Sequence, residues 1–355
     1  MQNYTIIKTL GSGAYGTVFL AHDIVNNRDI ALKQIHKKTT WSEAKNLQEL
    51  RSLKRFKNCP YIVQLYELFR EQDGTLNFVF ELVSGGSLCQ KNTQSWQEIQ
   101  IRTAAFQILQ GLNFVHSQGY MHRDLKPENI LISDQNIFKI ADLGCAKELR
   151  KQPHSVYVGT RWYRAPEVLL QDQNYSFQSD IWAFGLILCE MYLGKPLLPG
   201  NSELDQLNII LQVLGPISTQ EYPKFASLSQ RIGFVPSTPV QSEGSNSISR
   251  VEGKLKTLLR NASGPAISFI ASCLQICPEH RLSTQQLLHL EFVNLENKVE
   301  YQNESEIIKK AKIVLNSKIQ GIGESYQSRV VRTADLIDQN EFQNNHGLDE
   351  LDEYE

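Results

Sequence analysis

The chain has 355 residues, 41% of them apolar and 21% charged, with 36 Lys and Arg against 38 Asp and Glu for a net charge of −2. That length allows a large buried core in two or three lobes, and the near-neutral balance argues against nucleic acid as a partner, which calls for a basic surplus. Six scattered cysteines, no apolar leader after Met1 and no run near the roughly 18 apolar residues that span a bilayer point to a reduced, cytoplasmic protein without membrane insertion.

In chain order, residues 6–10, 17–21 and 30–35 carry β-branched and aromatic residues between Gly and Asn turns and read as strands. Between the first two lies Gly11-Ser12-Gly13-Ala14-Tyr15-Gly16-Thr17-Val18, a loop in which residues without side chains let backbone N–H groups approach an anion. G-x-G-x-x-G also occurs in dinucleotide-binding folds, but those need a helix directly after it, and here a β-rich run leads to Ala31-Leu32-Lys33. Thr40-Trp41-Ser42-Glu43 fits a capping box opening a helix with Leu47, Leu50, Leu53 and Phe56 at helical spacing. Two further strands flank the Asp73-Gly74 turn. From Ser95 the pattern turns helical: Ser95-Trp96-Gln97-Glu98 fits a second capping box, followed by the stripe Ile101, Ala104, Ala105, Ile108, Leu112 and Val115.

Tyr120-Met121-His122-Arg123-Asp124-Leu125-Lys126-Pro127-Glu128-Asn129 places a carboxylate, an ammonium and an amide within six residues. Asp142 follows eighteen residues after Asp124, in Ala141-Asp142-Leu143-Gly144. Further helices are expected over about 177–193, 203–214, 264–275 and 283–290. Residues 233–253, rich in Ser, Pro and Gly, read as a mobile insert, and residues 301–355, with six Lys or Arg against eleven Asp or Glu, as a partly disordered acidic tail. A short amphipathic helix around 307–319 is an expectation within that tail.

Together these motifs resemble a eukaryotic Ser/Thr protein kinase, over residues 4 to about 292. The resemblance implies an α+β, bilobal kinase fold: a small antiparallel β-rich lobe with one main helix over 1–83, a larger, mainly helical lobe over 84–292 including an activation segment at 142–167 and an insert at about 199–263, and the tail at 293–355. It implies ATP and Mg2+ as cofactors. Asp124 is then the base for the acceptor hydroxyl, Lys126 a γ-phosphate contact, and Asn129 and Asp142 the magnesium ligands. Lys33 pairs with the α/β-phosphates and with Glu49. The nucleotide lies against Leu10, Gly11, Ser12, Gly13, Ala14, Tyr15, Gly16, Val18, Ala31 and Leu131, with the hinge backbone at Glu81 to Val83 behind the gatekeeper Phe80. Leu143 replaces the usual Phe in a packing column with Leu53, Leu65 and His122. Activity is therefore expected, with an altered inactive state.

Ser155-Val156-Tyr157-Val158-Gly159-Thr160-Arg161-Trp162-Tyr163-Arg164-Ala165-Pro166-Glu167 and Pro196-Leu197-Leu198-Pro199-Gly200-Asn201-Ser202-Glu203-Leu204-Asp205-Gln206-Leu207 resemble the group of MAP kinases and cyclin-dependent kinases. Arg164 then implies Ser/Thr-Pro substrates, Thr160 a place in the substrate platform, and Ser155 and Tyr157 activating phosphosites served by Arg123, Lys147 and Arg164. Gln48 stands where the group has a further arginine. The residues 41–54 are similar to the male-germ-cell-associated and intestinal-cell (RCK) kinases, without a cyclin-binding helix, implying a monomer in the cytoplasm with cilium, flagellum or nucleus as further addresses. Glu167–Arg281 is expected as a buried bridge and Asp180 as an anchor of the catalytic loop. Two alternatives stay open: a pseudokinase scaffold, and a MAP kinase proper that an upstream activating kinase phosphorylates at both sites.

Overall fold

Runs of β-branched and aromatic residues between turns in the first eighty residues produce five strands, β1 (Tyr4–Ser12), β2 (Gly16–Asp23), β3 (Arg28–Ile35), β4 (Leu65–Arg70) and β5 (Leu76–Glu81), with helix α1 (Gln48–Arg55) between β3 and β4. They form one antiparallel sheet in the order β1-β2-β3-β5-β4. The computed structural model describes residues 3–13, 16–38, 40, 43–44, 48–149, 161–237 and 247–294, of which the side chains of Gln48, Glu49, Arg51 and Lys54 are excepted. Expectations for Ala14, Tyr15, the Glu49 and Gln48 side chains, Ser155, Tyr157, Thr160 and the tail lie outside the described residues. Residues 1–295 form one compact unit.

The capping box read from Thr40 is present in both directions: the Thr40 N–H donates to Glu43 Oε2 at 2.9 Å, and the Glu43 N–H donates to Thr40 Oγ1 at 3.2 Å. The second box is displaced. The long helix α2 (Glu98–Ser117) starts with Gln97 as cap, whose N–H donates to Gln100 Oε1 at 2.9 Å, while residues 93–95 form a separate 3-10 turn. Trp96 explains the shift, because its ring packs edge-on against Phe138 at 6.0 Å, and a helix begun at Ser95 would have to carry that ring through its first turn.

The large lobe continues with β6 (Tyr120–Met121), β7 (Ile130–Ile132), β8 (Phe138–Ile140) and β9 (Lys147–Glu148), then α3 (Pro166–Leu169), α4 (Gln178–Leu193), α5 (Glu203–Leu214), α6 (Phe225–Arg231), α7 (Ser247–Leu258), α8 (Gly264–Cys273) and α9 (Thr284–Leu288). α4 is apolar around most of its circumference and lies at the centre of this lobe's core. Residues 247–253 are helical where an irregular insert was expected. α7 buries Val251 and Leu255, and Arg250 makes a two-pronged bridge to Glu221 at 2.8 and 2.9 Å. Among the described residues no helix is long and apolar enough to cross a membrane.

A second core cluster joins the lobes. Leu50 and Leu53 of α1 and Phe56 just after it pack with Val115, Tyr120 and Leu143, with Leu65 against them, so Leu143, at 2% exposure, joins Leu53 and Leu65 of the expected packing column. A leucine there keeps the column apolar with less area than phenylalanine.

Candidate active site

β6 delivers the chain into the segment His122 to Asn129, and two buried anchors fix that segment. The Asp180 carboxylate, on α4, accepts the His122 N–H and the Arg123 N–H at 2.8 Å each and a contact from His116 Nε2 at 2.9 Å. Burial pushes this carboxyl up, but the His116 contact and the backbone donors more than reverse it and hold it below the usual carboxylate range. Arg123 takes φ 72°, the left-handed region, which costs a side-chain-bearing residue about 1–3 kcal/mol and persists because Asp180 holds both neighbouring amides. His122 is the other anchor. Its Nδ1 accepts the Asp124 N–H at 3.3 Å, which requires the Nε2–H tautomer, and Nε2 then donates to the Ala141 carbonyl at 3.0 Å.

On this frame Lys126 Nζ lies 2.8 Å from Asp124 Oδ2, and the Asn129 amide donates to the Asp124 carbonyl at 2.8 Å and to Oδ2 at 3.3 Å. Burial depresses the Lys126 ammonium's pKa, and Asp124 more than offsets this, so Lys126 stays protonated. The Ala141 N–H donates to the Asn129 carbonyl at 2.8 Å, tying the first motif to the second. Asp142 follows directly, also with a positive φ of 55°. Its Oδ1 meets Lys33 Nζ from β3 at 3.1 Å, with the carboxylate side chain 44% exposed toward the cleft. Burial would raise the Asp142 pKa, whereas Lys33, then His122 and Lys126, bring it below the usual range.

The roof of this cleft is the β1–β2 hairpin. A Cβ on Gly16 would come within 2.3 Å of the Gln34 carbonyl, so that glycine is needed for strand contact; a Cβ on Gly11 or Gly13 meets nothing within 4 Å. Val18 pairs across the ladder with Lys33, and Leu20 with Ala31. Leu10 is 48% exposed, Val18 and Ala31 are half-buried, and Leu131 lies on β7 below. Phe80 pairs with Ala31 and stacks on Phe78 at 6.0 Å, leaving Glu81, Leu82 and Val83 as the link between lobes.

A protein kinase domain model matches residues 4–293. The chain belongs to the protein kinase family. It is 41% identical over 300 residues to the serine/threonine-protein kinase ICK of Rattus norvegicus, covering 83% of this chain and 46% of that one. The serine/threonine-protein kinase MAK of Mus musculus is 40% identical over 294 residues, covering 81% and 45%. These relatives bear out the resemblance to the RCK branch, and the chain spans about half the length of the curated relatives it matches. Among solved structures, the CAK complex from Chaetomium thermophilum bound to ATP-γ-S superposes with a TM-score of 0.72 at 25% identity, covering 84% of this chain and 93% of that chain.

In this kinase domain the end of the activation segment is tied to the stretch after α4. Gln206, fully buried, accepts the Gly200 N–H at 2.9 Å and donates to Leu198 O at 2.9 Å and Trp162 O at 3.3 Å; Trp162 Nε1 donates to Gly200 O at 3.1 Å. Those contacts explain why Pro196 to Leu207 reads as a signature. Arg164 bridges to Glu203 at 2.8 Å, and with Arg123, Asp124, Tyr163 and Tyr175 it lines a small hollow. Glu167 and Arg281 form the expected bridge, two 2.7 Å bonds with both side chains at most 1% exposed, and Arg281 also donates to the Gln178, Gln275 and Ile276 carbonyls. Three participants had no signal in the motif reading: His116, Glu203 as the partner of Arg164, and Lys139 as the partner of the hinge residue Glu81. Each is an ordinary charged or polar residue of a helix or strand, and only the approach of a distant element gives it a role.

Proposed function

We propose that this chain is an ATP-dependent protein Ser/Thr kinase acting on Ser/Thr-Pro sites. The observation that carries the reading is the convergence of Lys126 and Asn129 on the Asp124 carboxylate, at the foot of a cleft whose other wall presents Lys33 and Asp142. Asp124 takes the proton of the acceptor hydroxyl, and Lys126 gives Asp124 its orientation and contacts the γ-phosphate. Lys33, 3.1 Å from Asp142, would meet the α/β-phosphates of a bound nucleotide, with Glu49 as its partner. A Cβ on Gly11 or Gly13 would meet open space, so no neighbouring group fills the face along which those phosphates would approach.

The donor chemistry fits magnesium. Asp142 offers a carboxylate, and because the Asn129 amide nitrogen is engaged by Asp124, its oxygen is the atom left for a cation. With Asp142 and Asn129 as its protein ligands, such an ion would take its remaining ligands from phosphates and water. When bound, Mg2+ neutralises charge on the β- and γ-phosphates.

Arg164, fixed by Glu203, shapes the pocket for the proline after the acceptor. Ser155 and Tyr157 are the activating sites, and Arg123 and Lys147 supply positive charge; burial, and then Arg123, lower the Lys147 pKa, as expected of cations brought close together. The reading is tested by transfer from Mg-ATP to a Ser-Pro peptide against its Ser-Ala counterpart. Transfer to Ser-Pro should fall by about 10³ in Asp124→Asn, the range of a lost general base. No transfer in any phosphorylation state would favour the pseudokinase scaffold. Mass spectrometry of the purified protein separates the remaining alternative: Tyr157 phosphate that disappears in Lys33→Met supports the RCK-like reading, and phosphorylation of Ser155 and Tyr157 only by an added kinase supports a MAP kinase cascade.

A further inference from the structure

Glu81 enters the kinase reading through its backbone alone, yet its side chain makes a two-pronged ion pair with the large lobe. Lys139 Nζ, on β8, meets both carboxylate oxygens, Oε1 at 2.7 Å and Oε2 at 2.8 Å, and the two side chains are only 13% and 16% exposed. Oε1 also accepts the Gln64 N–H at 2.8 Å, while the Glu81 N–H donates to the Gln64 carbonyl at 3.0 Å. Gln64 is itself immobilised: its amide donates to Cys59 O at 3.0 Å and Ile62 O at 2.7 Å and accepts the Asn58 N–H at 2.9 Å. The same loop is laced to β8 by Val63 N–H to Ile140 O at 2.9 Å and Ile140 N–H to Tyr61 O at 2.8 Å.

The strand registers give this cluster a meaning beyond lobe adhesion. Lys139 stands directly opposite Leu131 in the β7–β8 ladder, and facing residues in an antiparallel pair present their side chains on the same side. Leu131 is the floor expected under the nucleotide base. On the other side, Glu81 pairs with Ile30 and Phe80 with Ala31, the roof residue. The ion pair therefore spans from the strand beside the roof to the strand beside the floor, at the point where the hinge backbone must meet a purine edge. Beyond it the hinge runs closely along β7: a Cβ on Gly85 would come within 2.3 Å of the Ile132 carbonyl, and the Ser84 hydroxyl donates to Asp134.

We propose that Lys139 is a positioning residue for nucleotide: by clamping Glu81, it sets the spacing between the hinge and Leu131 and so the width of the slot that takes the adenine base. The proposal rests on the kinase reading above. An ion pair serving only to hold the lobes together would change the melting temperature and the active fraction, leaving the affinity of the folded protein for ATP as it was. A clamp on the slot changes that affinity and the KM for ATP more than kcat.

The full chain, with Lys139→Met, Glu81→Gln, Lys139→Arg and the exchanged pair Glu81→Lys with Lys139→Glu, is titrated with a fluorescent ATP analogue in Mg2+, alongside KM and kcat for ATP. Lys139→Met should bind about tenfold more weakly, the size of one lost charge-assisted hydrogen bond, with kcat at saturating ATP reduced no more than about twofold. Glu81→Gln should fall between, and Lys139→Arg and the exchanged pair should recover most of the affinity. Affinity in folded Lys139→Met and Glu81→Gln equal to that of the unaltered protein, or an exchanged pair no better than the single variants, would overturn the clamp while leaving the kinase reading intact. An unaltered protein that binds no ATP analogue would overturn both.

Discussion

The catalytic loop and the glycine loop face the same cleft from opposite walls, and they are held in place differently. His122 to Asn129 is fixed from beneath by buried polar groups: Asp180 takes two backbone N–H groups, His122 closes onto Ala141, and Asn129 onto the Asp124 carbonyl. The described residues of Gly11 to Val18 are held by strand pairing and by exposed hydrogen bonds, Gly13 N–H to Gly16 O and the Thr17 hydroxyl with Ser12 and His36, with β1 exposed along nearly its whole length and one glycine, Gly16, in tight contact with a neighbouring strand. Under the proposed chemistry proton transfer tolerates little displacement, and Asp124, the proposed base, rests on groups whose loss would strand charges in the core. Phosphates must enter and leave, so the roof rests on a ladder that can flex without unsatisfied buried groups.

The largest effect expected from this contrast lies in the large lobe. Glu167→Ala strands the fully buried Arg281 charge and should cost about 3–5 kcal/mol in urea unfolding; a loss below about 1 kcal/mol would mean that buried charge is not what holds this lobe. Asp180→Ala should cost about 2–3 kcal/mol, because two buried backbone donors and His116 lose a charged acceptor. It should also lower kcat with little change in KM for ATP, since it loosens the base and not the roof. A reversed split in steady-state kinetics would break the comparison.

On the roof, Gly16→Ala forces the Gln34 carbonyl aside and should cost about 1–3 kcal/mol of overpacking strain. Gly13→Ala meets open space and should change stability by less than about 0.5 kcal/mol, as a surface substitution, so that its effect appears in ATP binding alone. Equal losses of stability in the two variants would show that the roof is packed and not merely laddered. The smallest effect is in acid. The Asp180 carboxyl is held below the usual range in the folded chain, so its contribution is complete above the ordinary carboxylate pKa of about 4 and is lost as pH falls through the lower folded value. Asp180→Asn should therefore show a shallower decline of stability below about pH 4 than the unaltered protein, by thermal melts across that range.

Much of the fold was legible because periodicity is local. The five strands, α2, α4, α5, α8 and α9 appear where β-branched and aromatic runs or helical spacing placed them, and the Thr40–Glu43 cap is formed as read. Two errors have definite causes. The second cap moved to Gln97 because the Trp96 ring packs against Phe138, a residue forty-two positions away, so a distant contact outweighed a local pattern. α7 was missed because it buries only Val251 and Leu255 and begins beside a Ser- and Gly-rich stretch; it is held by Arg250 on Glu221, with Gly215 too close to Arg250 to carry a side chain. Leu143 is the opposite case. A departure from the expected Phe was visible in the sequence, and the lobe-spanning cluster simply accepts it.

By itself, the sequence determined which groups stand near one another along the chain: Asp124 with Lys126 and Asn129, the three glycines, and Glu167 beside the activation segment. Short loops allow only a few arrangements of residues so close in the chain, and that is enough to name a chemistry. The tertiary structure alone decided other pairings across long separations, Lys33 with Asp142, His116 with Asp180, and Lys139 on Glu81. A charged residue carries no mark of its partner in its own neighbourhood; which oppositely charged group it meets is set by how whole strands and helices pack, and the apolar cores on either side of the cleft set that.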